Sequence, residues 1–102
     1  MVIPENLLED TLNYLDITWA DADVEKKIKG ILARGMAYID RIAGAEMDYS
    51  QEGKAKELLL DYVRYGRSNA LDEFQGNYLH ELLSLQMYQQ IEETIENDTE
   101  SP

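Results

Sequence analysis

Residues 24–43 read VEKKIKGILARGMAYIDRIA, and their apolar positions recur at the spacing of an α-helix. Advanced by about 100° per residue, one face collects the apolar positions Val24, Ile28, Ile31, Leu32, Gly35, Ile39 and Ile42. Gly35 lies in the middle of this face, where glycine lowers helix propensity by about 1 kcal/mol. We expect a second helix to approach closely at Gly35 and to offset that loss. The pattern predicts a helix over about residues 19–43, started by a capping box of Thr18 with Asp21 and stopped by Gly44.

Three further helical segments are predicted outside this stretch. The first covers about residues 4–15 and has a proline in its first turn. The next covers about residues 54–65, where Leu60 points away from the apolar stripe. The last begins near Ala70, and Gly76 is expected to kink or divide it. Together these segments predict an all-α domain, a small bundle of about four helices.

The C-terminal end differs in composition from the rest of the chain. From Tyr88 onward the sequence is mostly polar and acidic, with Ile91 and Ile95 as sparse apolar positions. Such a segment lacks enough apolar surface to fold alone. We therefore expect a helical domain over residues 1–87 and a flexible acidic arm over residues 88–102, disordered in the free monomer.

Charge is segregated along the chain. The formal net charge is −12, yet all nine Lys and Arg residues lie between Lys26 and Arg67, and both ends are acidic. In the predicted second helix, one polar face collects Lys26, Lys27, Lys29, Arg34 and Arg41. A molecule this acidic repels nucleic-acid phosphate, so we interpret the basic face as solvated or as a contact between subunits. The longest apolar runs are three residues, far too short to span a membrane.

No residue pattern predicts catalysis. The chain has no cysteine and a single histidine, His80, so neither a thiolate site nor a histidine cluster is available. Glu92, Glu93 and Glu96 could bind a hard cation, but a solvated acidic face is the simpler interpretation. We expect no metal, no cofactor and no enzymatic activity. Two alternatives stay open, an acidic DNA mimic that inhibits a nucleic-acid enzyme and an acid-cluster metalloenzyme.

Three stretches, in order, resemble the small helical head–tail connector proteins of tailed bacteriophages, also called head-completion adaptors. The resemblance covers about residues 16–85. Its motifs are Ile28-x-x-Ile31-x-x-x-Gly35-Met36-Ala37-Tyr38-Ile39-x-x-x-x-Gly44, Ala55-x-x-Leu58-Leu59-Leu60-Asp61-Tyr62-Val63-Arg64-Tyr65 and Asn69-Ala70-Leu71-Asp72-Glu73-Phe74-x-x-Asn77-Tyr78. None of these motifs is a catalytic signature.

The resemblance implies a structural role in the virion. Such adaptors are monomers in solution, built in the host cytoplasm, and assemble as a twelve-subunit ring below the portal protein. The ring extends the DNA channel without sequence-specific DNA binding and docks a stopper or tail component. By position, the portal-binding arm would comprise Tyr88, Ile91, Glu92, Glu93, Ile95 and Glu96. The ring interface would use the basic face and residues outside the apolar stripes, namely Trp19, Lys26, Lys29, Arg34, Arg41 and Leu60.

Overall fold

The computed structural model describes residues 3–100, and this part of the chain is all-helical. Its four helices are α1 (Glu5–Tyr14), α2 (Ala22–Ala43), α3 (Lys54–Arg67) and α4 (Leu71–Glu100), with no strand among the described residues. The predicted all-α bundle of about four helices is confirmed. Residues 1–2 and 101–102, the outer ends of the two expected units, lie outside the described residues.

Helix α2 has a favourable capping residue at each end. Asp21 is the N-cap residue, and its carboxylate accepts a 2.9 Å hydrogen bond from the Val24 N–H. The expected capping box of Thr18 with Asp21 is therefore wrong, since the acid caps the helix instead of lying inside it. At the other end, Gly44 adopts a left-handed φ of 80°, which confirms the expected stop.

The core forms where α2, α3 and α4 pack against one another, and α1 packs on α3. The predicted stripe of α2 is buried at Ile28, Ile31, Leu32, Gly35 and Ile39. Helix α3 contacts all three other helices, so its buried arc is wider than one stripe. For this reason Leu60, expected to point away, is half-buried and packs against the core.

Helix α3 packs closely against α2 at Gly35, as predicted. A Cβ atom built on Gly35 would lie 2.7 Å from Tyr62 Cδ1 and 2.8 Å from Leu59 Cδ1. Gly30, five residues earlier on the outer side of α2, would place its Cβ in open space, with only Arg34 Nη1 at 3.5 Å. One glycine of α2 thus serves internal packing, and the other does not.

We expect the two glycines to respond oppositely to alanine. Gly35→Ala forces a methyl group into the packed α2–α3 contact and lowers the free energy of unfolding by about 1–2 kcal/mol, after the gain in helix propensity. Gly30→Ala meets only the end of the Arg34 side chain, at an ordinary contact distance, and raises that free energy by about 0.5–1 kcal/mol. Urea unfolding followed by circular dichroism measures both. Equal effects of the two substitutions would contradict the packing at Gly35.

An aromatic cluster closes the core between α3 and α4. Phe74 is 1% exposed and stacks on Tyr78, with ring centroids 4.6 Å apart. Tyr62 and Tyr65 meet Phe74 edge to face at 5.3 and 5.6 Å, and Tyr38 of α2 does so at 6.2 Å. Phe74 therefore joins three helices through ring contacts in geometries that aromatic pairs prefer.

Helix α4 is a single helix through Gly76, so the expected division there is wrong. An interior glycine costs a helix only about 1 kcal/mol. The core contacts of Phe74 and Tyr78, on either side of Gly76, hold both turns in place. The helix also continues past residue 87 without a break. Disorder of residues 88–102 in the free monomer stays a prediction.

Candidate interaction surfaces

The distal end of α4 exposes large apolar side chains next to acidic ones. Tyr88, Ile91 and Ile95 are 64%, 55% and 59% exposed. Glu92, Glu93 and Glu96 are exposed on the same three turns. All six residues of the expected portal-binding arm therefore lie exposed on neighbouring turns of one helix. We refer to these six residues as the distal α4 surface.

The body of the protein holds α4 only up to the start of this surface. Leu82 and Leu85 are buried in the core, and the Gln86 amide donates a 3.1 Å hydrogen bond to the Ile42 carbonyl at the end of α2. Ile42 is close to the C-terminal end of α2. The distal α4 surface consequently extends beyond the part of the helix that packs in the core.

The outer face of α2 carries exposed cations. Lys26, Lys27, Lys29, Arg34 and Arg41 are all exposed, and the Arg41 guanidinium lies 6.0 Å from the centre of the Tyr38 ring. Among the described residues, the cations found in ion pairs are Lys54, Lys56 and Arg64, all on α3. The basic charge of α2 is thus unneutralised within this part of the molecule.

The remaining two residues of the expected ring interface lie elsewhere. Trp19 is 80% exposed in the connector between α1 and α2. The predicted helix included Trp19, whereas α2 begins at Ala22. Leu60 lies on α3 and is half-buried. The structure brings the four α2 cations of that set onto one helix and leaves Trp19 and Leu60 separate from them.

Sequence reasoning missed a buried cation. Lys56 of α3 is 3% exposed, and its ammonium donates hydrogen bonds of 2.6 Å to both Asp10 of α1 and Glu52 of the α2–α3 connector. The hydrogen bonds to Asp10 and Glu52 raise the pKa of Lys56 above its usual value. The Glu52–Lys56 spacing of four residues was a usable signal. Nothing in the sequence pointed to Asp10, which lies 46 residues away.

A cleft lies beside the connector between α2 and α3, and Asp40 in its lining is already hydrogen-bonded. The cleft holds about 600 Å³ and is lined in part by Asp40, Met47 and Tyr49. The Asp40 carboxylate accepts hydrogen bonds from the Tyr49 hydroxyl at 2.6 Å and from the Met47 N–H at 3.1 Å. Burial, together with the Asp40 charge, raises the pKa of Tyr49 well above its usual value. Asp40 thus serves to fix the connector.

The described residues also bear on metal binding and on membrane insertion. Between residues 3 and 96, no three His, Asp or Glu side chains gather in a way that could hold a metal ion. Over the same part of the chain, no helix is both long and apolar enough to cross a membrane. Comparisons of the chain with protein-family models, curated proteins and solved structures found no match.

Proposed function

We propose that this protein is a head-completion adaptor of a tailed bacteriophage, which assembles as a ring below the portal and docks a stopper or tail component. The observation that carries the proposal is the distal α4 surface, an exposed apolar and acidic helix end beyond the packed core. The motif resemblance across residues 16–85 supplies the class of partner. The ring would extend the DNA channel of the capsid.

The shape of the molecule supports a role in bridging other components. Its extents are 55 × 29 × 19 Å, and α4, with thirty residues, is about 45 Å long. Large exposed apolar side chains are concentrated on α4, where Met87 and Tyr88 are more than 60% exposed. Methionine and tyrosine are enriched at protein–protein interfaces. We assign the distal α4 surface to the portal protein.

The outer face of α2 supports self-assembly better than DNA binding. Its cations face outward, but the whole chain carries −12, which opposes a close approach to duplex phosphate. The same exposed cations weigh against an acidic DNA mimic, since a mimic presents a continuous surface of carboxylates. A ring needs two different complementary patches on each subunit, and segregated charge supplies them.

Co-sedimentation with capsids tests the proposal directly. The protein alone is expected to be a monomer by analytical ultracentrifugation and to pellet with portal-bearing capsids assembled from neighbouring genes. Capsids that lack the portal and free duplex DNA are the matched controls, and neither should retain it. Equal pelleting with portal-free capsids would exclude the portal as partner. Displacement of DNA from a nuclease, with no capsid binding, would favour the DNA mimic instead.

A further inference from the structure

The proximal half of α4 has an exposed apolar strip that is separate from the distal α4 surface. Leu79, Leu83 and Met87 are 43%, 45% and 61% exposed and follow one another every four residues. Side chains at this spacing form a ridge that packs into the groove of another helix. One turn earlier, Gly76 has no atom within 4 Å of the position its Cβ would take. The ridge therefore begins at a point where another backbone can approach closely.

The outer face of α2 has a shallow groove that could receive this ridge. Between its cations lie the small residues Gly30, Ala33 and Ala37, none of which is buried. Gly30 lowers the helix propensity of α2, and no packing contact among the described residues requires a glycine there. From Gly30 to Ala37 the small residues span about 10 Å, and from Leu79 to Met87 the ridge spans about 12 Å. A shallow groove and a ridge of similar length are thus presented on different helices.

Charge favours α2 over α4 of a second copy as the helix that packs on the ridge. Helix α4 begins with Asp72 and Glu73, and it has no Lys or Arg between Leu71 and Glu96. Against it, the outer face of α2 carries five exposed cations over residues 26–41. In the described part of the chain, neither group of charges takes part in an ion pair. Pairing α4 with α4 would oppose acids to acids, whereas pairing α4 with α2 opposes unlike charges.

We propose that the outer face of α2 in one copy of the chain covers the strip of Leu79, Leu83 and Met87 on α4 of a second copy. Because the two patches differ, the contact is heterologous and repeats from copy to copy until it closes into a ring. This inference deepens the proposed ring and rests on the premise that copies assemble side by side. The distal α4 surface remains available to the portal.

Carbodiimide cross-linking of mixed ¹⁴N and ¹⁵N protein at high concentration tests the contact, because mixed-isotope products come only from two different copies. We expect such products to join Lys26, Lys27 or Lys29 to Asp72 or Glu73. Lys54, an exposed lysine on α3, is the internal control and should give few mixed products. Mixed products made mainly through Lys54, or none through the α2 lysines, would overturn the inference.

Charge reversal provides the specificity test. The double variants Lys26→Glu with Lys29→Glu, and Asp72→Lys with Glu73→Lys, should each lower self-association at least about tenfold, as sedimentation at high concentration measures it. A mixture of the two variants should restore association, since both α2–α4 contacts between unlike variants again oppose unlike charges. No rescue on mixing would contradict the α2–α4 pairing.

Leu83→Asp tests the apolar part of the same contact. It should weaken self-association while the protein stays folded, because Leu83 is exposed. Unchanged self-association of this variant would also contradict the α2–α4 pairing.

The same cross-links on capsid-bound protein separate this inference from the proposed function. Capsid binding without α2–α4 cross-links would overturn the contact and leave the adaptor proposal intact. Cross-links in solution without capsid binding would support the contact and overturn the adaptor proposal.

Discussion

Deleting residues 88–102 is expected to abolish attachment to portal-bearing capsids while the helical body stays folded. Through Glu96, the last residue whose burial is described, the buried side chains of α4 are Phe74, Leu82 and Leu85, and all three precede the deletion. Thermal unfolding by circular dichroism should therefore change little, apart from the helical signal of the missing turns. Capsid co-sedimentation measures the loss of binding.

Substitutions in the full-length chain sharpen this test. Ile91→Asp with Ile95→Asp removes two exposed apolar anchors and should weaken attachment at least about 100-fold, at roughly 1.4 kcal/mol or more for each anchor. Gln90→Asp adds a charge to the same stretch at an exposed polar position and is the matched control. Full attachment by the truncated chain, or equal losses in the isoleucine variant and the control, would refute the role of the distal α4 surface.

Phe74→Ala is expected to cause the largest loss of stability of any substitution considered. Truncating a buried phenylalanine lowers the free energy of unfolding by about 3–5 kcal/mol, and the contacts with four tyrosine rings favour the upper half of that range. A domain of this size has a total stability of about 5–15 kcal/mol. Urea unfolding should show the variant close to its unfolding midpoint in dilute denaturant.

Leu83→Ala is the control for Phe74→Ala, because Leu83 lies on the same helix but is 45% exposed. It should lower the free energy of unfolding by about 1 kcal/mol or less. Phe74→Leu removes the ring but keeps more of the side-chain volume than Phe74→Ala does. Its loss in the free energy of unfolding should fall between those of the two alanine variants. A cost for Phe74→Ala no greater than that for Leu83→Ala would show that the ring cluster does not anchor the core.

The helices with a clear apolar period were predictable from local sequence. In α2 the helical period places Ile28, Ile31 and Ile39 toward the core. Gly35, a poor helix former within the same apolar stripe, correctly indicated a close contact with another helix. Both inferences need only the geometry of one helix. The clustering of the cations on the outer face of α2 was predictable on the same basis.

The remaining features depend on which elements meet in three dimensions. Leu60 is half-buried because α3 contacts three helices, and no single-helix pattern contains that fact. Lys56 is buried because Asp10 of α1 comes within 2.6 Å of it. Gly76 sits inside an unbroken helix because its neighbours are held by the aromatic cluster. Tertiary contacts overrode the local preference in each case.

The unbroken course of α4 has a consequence for how its end recognises a partner. Starting a helix is unfavourable, since several residues must be fixed before the first hydrogen bond forms. In α4 the half packed around Phe74 and Leu82 provides that nucleus, so every later turn needs only propagation. A partner that binds Tyr88, Ile91 and Ile95 thus has to fix only turns that extend an existing helix, and less of its binding energy is consumed in ordering them.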